Sequence, residues 1–136
     1  MAKGWLFKTE PGAYSFQQLV KDGRTTWDGV KNNLALKHLK GISKGDPILI
    51  YHTGDEKAAV GVARALGGAY PDPSQKNPKL LVADIEAVKP LPRAVTLAEI
   101  KANSKLAEFD LVRLPRLSIM PVSGEQWDLI ERMAKK

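Results

Sequence analysis

Three runs between residues 46 and 88 do most to limit the fold. Asp46-Pro47-Ile48-Leu49-Ile50-Tyr51-His52 reads as a turn followed by a strand. Ala58 to Ala69 alternates weakly and contains Gly61, Gly67 and Gly68, as a long, bent barrel strand would. Leu80 to Val88 sets Leu81, Ala83, Ile85 and Ala87 against Val82, Asp84, Glu86 and Val88. The intervening Pro71–Lys79 is a loop by composition. Helical signals lie outside this block. Ser15 with Gln18 opens a short helix burying Phe16, Leu19 and Val20, and a second helix is expected from about Val30 to Lys40, stopped by Gly41. Its residues Ala35, Leu36, Leu39 and Ile42 share one face. Thr96 with Glu99 caps a helix carrying Leu97 and Ile100, and Ser123 with Gln126 caps one burying Trp127, Ile130 and Met133. With Trp5–Lys8 as an opening strand, the pattern is an α+β domain on a small curved sheet or barrel.

The 136 residues fit one domain, 1–136, with no repeat or linker. There is no cysteine, hence no disulfide, thiolate metal site or cysteine nucleophile. With no cysteine, and no pattern around His38 or His52 that reads as a metal-ligand set, no metal or other cofactor is expected. The start of the chain lacks a signal-peptide core and no apolar run reaches membrane length, so the expectation is a cytoplasmic protein without a membrane partner. The net charge of +6 favours a polyanionic partner, and six Lys/Arg against two Asp between Lys21 and Lys44 suggest one basic face.

Trp27-Asp28-Gly29-Val30-Lys31-Asn32 joins a large aromatic, a carboxylate, a permissive Gly and an amide. That order suits a pocket for a planar ligand, which in a basic protein is a nucleobase. It equally suits a helix start with Asp28 as N-cap and Trp27 as packing anchor. Three further segments resist a purely structural reading: Trp5–Pro11 with Tyr14-Ser15, Tyr51-His52-Thr53-Gly54, and Arg116-Leu117-Ser118.

Together the four segments resemble the EVE domain, a branch of the PUA-like superfamily related to the YTH readers of methylated adenine. The likeness extends to Gly45-Asp46, Gly61, Tyr70–Pro73 and Val122–Trp127, and spans essentially the whole chain. It implies a PUA-like pseudo-barrel of mixed β-strands with flanking helices. The implied function is a non-enzymatic module that holds a flipped, modified base, such as a 5-modified cytosine in DNA. The implied base pocket draws on Glu10, Pro11, Trp27, Asp28, Gly29, Val30, Asn32, Tyr51, His52, Thr53, Leu117 and Ser118, with Lys8, Lys31 and Arg116 beside it. Lys31 stands where the family usually has Arg, and Thr53 where it has Ser.

In physical terms Trp27 is the stacking floor, with Tyr51 or Trp5 as a second wall, although all three read as core aromatics and Trp5 most readily. Stacking a base on an aromatic is worth roughly 1–3 kcal/mol for any base. A buried methyl adds about 0.8 kcal/mol, so selectivity needs edge contacts. Asp28 suits an exocyclic amine and Asn32 a base edge or a phosphate. Lys8, Lys31, Arg116, Lys37 and Lys40 are candidates for phosphates, or else solvated surface charges. Glu10 reads better as a partner of Lys8, Arg116 or a backbone amide than as a ligand contact. Modified RNA such as tRNA is the alternative polymer. A hydrolase using Ser118, His52 and Asp28 lacks a Gly-x-Ser-x-Gly elbow. A stand-alone reader acts through a partner such as a nuclease or repair factor.

Overall fold

The computed structural model describes residues 2–136. Its strands are β1 (Ala2–Thr9), β2 (Arg24–Trp27), β3 (Pro47–His52), β4 (Ala58–Ala65), β5 (Tyr70–Pro71), β6 (Leu81–Thr96) and β7 (Ile119–Ser123). They join in the order β2-β6-β4-β3-β1-β7, with β5 on β6. Among the described residues β1 and β3 pair in parallel and the other pairings are antiparallel. That parallel pair needs a crossover, and the segment between its strands supplies two helices and β2. The path ends at β2 and β7 without closing. The expected pseudo-barrel is therefore an open, mixed seven-stranded sheet with flanking helices.

The continuous apolar run of β3 is explained by its place between β1 and β4: Ile48 to His52 are all buried. β4 stops at Ala65 rather than Ala69, but bends as its glycine suggested. Register shifts flank Gly61, where a Cβ would stand 2.4 Å from the Phe16 ring. β6 runs past Val88 through Pro90 and Pro92 to Thr96. Pro90 falls opposite Gly61, beside the irregularity, where the sheet tolerates a residue without an N–H.

Helix α1 (Phe16–Asp22) buries Phe16 and Leu19, while Val20 is 53% exposed, because seven residues offer the core only one face. Helix α2 (Asn33–Lys40) begins three residues later than expected. Asn32, not Asp28, caps it, its side chain accepting from the Ala35 amide at 3.0 Å. Ala35, Leu36, Leu39 and Ile42 are buried as their spacing required. Helix α3 (Leu97–Ala102) and α5 (Gly124–Ala134) both start with complete capping boxes. The short turn Ser104–Leu106 and α4 (Asp110–Arg113) lie between α3 and β7 and bury Leu106, Phe109 and Leu111. Among the described residues no helix is long and apolar enough to cross a membrane.

Candidate functional site

The end of β1, the turn after it and β2 enclose a cavity of about 550 Å³. Lys8, Thr9, Glu10, Ala13, Tyr14, Thr25, Thr26, Trp27 and Asp28 line it. Trp27 is 9% exposed and belongs to core and cavity at once. Its indole lies 5.4 Å from the Phe7 ring at 50°, and Tyr14 meets it edge-on at 6.2 Å. Tyr14 is pinned by its hydroxyl, which donates to Asp22 at 2.8 Å, and desolvation with that bond raises the phenol pKa. Thr9 Oγ1 donates to the Tyr14 carbonyl at 2.8 Å and holds the turn. Asp28, by contrast, is exposed and has no hydrogen-bond or ion-pair partner among the described residues.

From Asp28 the chain crosses to α2 in an open loop. Gly29 adopts φ +75°, which other residues rarely reach, and buried Val30 anchors the middle. Lys31 is exposed. None of the backbone amides of residues 28–32 donates a hydrogen bond within the described chain.

Lys8 borders a second cavity of about 260 Å³ with Tyr51, Thr53, Gly54, Lys57, Leu97, Leu111 and Pro115. Its Nζ donates to the Pro115 carbonyl at 2.8 Å and lies 5.8 Å from the Tyr51 ring centre. Burial lowers the Lys8 pKa and raises that of Tyr51. Tyr51 thus faces the second cavity, not the one Trp27 floors. Trp5 is no second wall either: its indole N–H donates to Asp46 at 3.0 Å. Glu10 accepts from the Gly12 amide at 3.2 Å and approaches the Thr53 hydroxyl at 3.5 Å, and it forms no ion pair with Lys8 or Arg116.

His52 lies in the core, 1% exposed. Its Nε2 accepts from the Phe16 amide at 3.0 Å, so the ring proton sits on Nδ1 and points to Glu56 at 2.7 Å. Both nitrogens are engaged, which leaves none for a ligand or for a hydroxyl such as that of Ser118. Ser118 instead accepts from the Lys8 amide through its carbonyl, at 2.9 Å. Pro11 and Ser118 do not line the large cavity. Asn32, Arg116 and Leu117 line a third hollow of about 340 Å³. Lys37 and Lys40 rim a groove of about 400 Å³ with Lys79, over Leu36, Pro78 and Leu81.

The fold therefore gathers Lys8, Glu10, Trp27 and Asp28 in one cavity and distributes the other candidates around it. Lys37, Lys40, Lys57, Lys79 and Arg116 at these hollows, and Lys31 on the loop, form no ion pair among the described residues, so their charge is open to solvent. Thr9 and Tyr14 lie in a segment that resists a purely structural reading, though the sequence gives neither a named role, and Ala13, Thr25 and Thr26 are not signalled at all. The β-branched pair before Trp27 was the available sign of β2.

The EVE domain family model matches residues 3–133. A Rhodopseudomonas palustris protein solved by NMR is 39% identical, with a TM-score of 0.92 over 99% of this chain and 94% of that one. Human THYN1 protein, crystallised in complex with 5-methylcytosine containing DNA, is 29% identical, with a TM-score of 0.90 over 98% of each chain. Human thymocyte nuclear protein 1 is 28% identical over 170 aligned positions, spanning all of this chain and 76% of its own length. With a family match from near the first residue to near the last, and a fold shared over the same span, the chain belongs to the EVE domain family.

Proposed function

We propose that this protein is a non-enzymatic reader that captures one extruded, modified base, a 5-modified cytosine in DNA, in the cavity floored by Trp27. The observation that carries this reading is the unpartnered Asp28 carboxylate beside the Trp27 indole, in a cavity that Lys8 also lines. Cytosine offers an exocyclic amino donor, which a carboxylate accepts, and the indole takes its face. The free amides of residues 28–32 supply donors for the acceptor atoms of the base or its phosphate. Lys8, Lys31 and Arg116 contact the flanking phosphates, and Lys37 and Lys40 extend the basic path. The relative solved with 5-methylcytosine containing DNA supports the choice of polymer and modification. The engagement of both His52 nitrogens argues against a hydrolase.

The test is titration of labelled duplexes carrying one cytosine, 5-methylcytosine, 5-hydroxymethylcytosine or N6-methyladenine, beside an RNA of the same sequence, at one salt concentration. Tighter binding to a 5-modified cytosine, with the nucleic acid recovered unchanged, is expected. Equal, salt-sensitive binding to all four would reduce the site to a generic basic surface and bring RNA to the front.

A further inference from the structure

The Asp28–Asn32 loop has the large cavity at one end and the third hollow at the other. Four residue steps separate these ends, so their Cα atoms lie at most about 14 Å apart. At the lip of the third hollow stands Leu34, 40% exposed. It belongs to the first turn of α2, whose buried side is taken by Ala35, Leu36 and Leu39. Lys37, three residues on, is its neighbour on the helix surface, and Arg116 lines the same hollow. Lys31 precedes it by three residues. None of these three cations forms an ion pair among the described residues.

An exposed leucine set among free cations, one short loop from a base-sized cavity, is suited to one particular surface. The cations match phosphates, and the leucine matches something apolar between them. In a duplex with one base swung out, that apolar surface is the pair of base faces bared by the departure.

We infer that Leu34 is the wedge that enters the gap left by the extruded base, while Lys31, Lys37 and Arg116 hold the phosphates on either side. This rests on the base-capture reading above. Extrusion costs a few kcal/mol of lost stacking and pairing, and an apolar side chain pushed into the step covers the bared faces and recovers part of it. A paired duplex needs that help. A single strand, whose base is already unstacked, does not.

The test uses the full chain with Leu34→Ala, comparing one modified cytosine in a duplex and in a single strand of the same sequence at one salt concentration. Duplex affinity should fall about tenfold, the equivalent of roughly 1.4 kcal/mol. Single-strand affinity should change by less than about twofold, as for an exposed substitution away from the contact. Leu34→Met should restore duplex binding, and thermal melting should be unchanged. Equal losses on both forms, or no loss on either, would overturn the wedge while leaving base capture in place if the wild type still prefers the modified base. A wild type with no such preference in either form would overturn both.

Discussion

The Trp27 indole lies 5.4 Å from the Phe7 ring at 50°, so the side chain that floors the cavity also closes the core. The two roles are separable by substitution. Trp27→Ala empties the core contact and should cost about 3–5 kcal/mol in urea unfolding. Trp27→Leu keeps apolar fill but loses the flat face, and should remove roughly 1–3 kcal/mol of binding to the preferred modified duplex. Equal loss on modified and plain duplexes would sink the pocket assignment.

Lys31 and Arg116 form no ion pair or side-chain hydrogen bond among the described residues, so their removal should be silent in folding. Lys31→Ala and Arg116→Ala should each weaken binding to all sequences together and flatten the logarithmic salt slope by about 1. Unfolding midpoints should stay within about 0.5 kcal/mol of wild type. A change in base preference without a change in slope would contradict the phosphate role.

His52 ties the end of β3 to the start of α1. His52→Phe keeps a flat ring but strands the Phe16 amide, and should cost at least about 1–3 kcal/mol of stability. The base preference of the folded variant should match wild type, because His52 does not line the cavity. Loss of preference at intact stability would return His52 to the site.

His38 gives the fold a pH dependence of known sign. Its Nε2 is buried without a partner among the described residues, beside Trp5 at 6.3 Å between ring centres. Burial lowers its pKa below 6.5, outweighing the attraction of Asp110, with Lys37 adding to the lowering. The folded state therefore favours the neutral ring, and below 6.5 the unfolded chain takes up the proton first. Its contribution to stability is present above that pH and is lost as pH falls through the lowered folded value. His38→Phe should make the chain less sensitive to acid across that window in thermal melts. An unchanged slope would contradict this.

What the sequence reveals here follows the range of each interaction. The Thr96–Glu99 and Ser123–Gln126 boxes close within three residues and are legible from spacing alone. The apolar face of α2 is likewise local. Strand β2 is not, because Thr26 finds its partner Asp84 fifty-eight residues away, at 2.7 Å. Asp28 and Asn32 are both good cap residues, and only the chain path through Gly29 and Val30 decides that Asn32 caps while Asp28 stays free. Tyr51 and Trp27 both lie near Lys8, yet Lys8 stands between two cavities and each aromatic faces its own.

Entry of a modified base into the Trp27 cavity can be read directly from the three tryptophans. Trp5 donates its indole N–H to Asp46, Trp127 is buried, and the indole N–H of Trp27 has no partner among the described residues. The measurement is the ¹⁵N–¹H spectrum of the indole groups, assigned by Trp→Phe substitution, during titration with plain and 5-methylcytosine duplexes. The Trp27 signal should move far more with the modified duplex while that of Trp127 stays in place. A Trp27 signal indifferent to the modification, in a protein that still binds DNA, would contradict it.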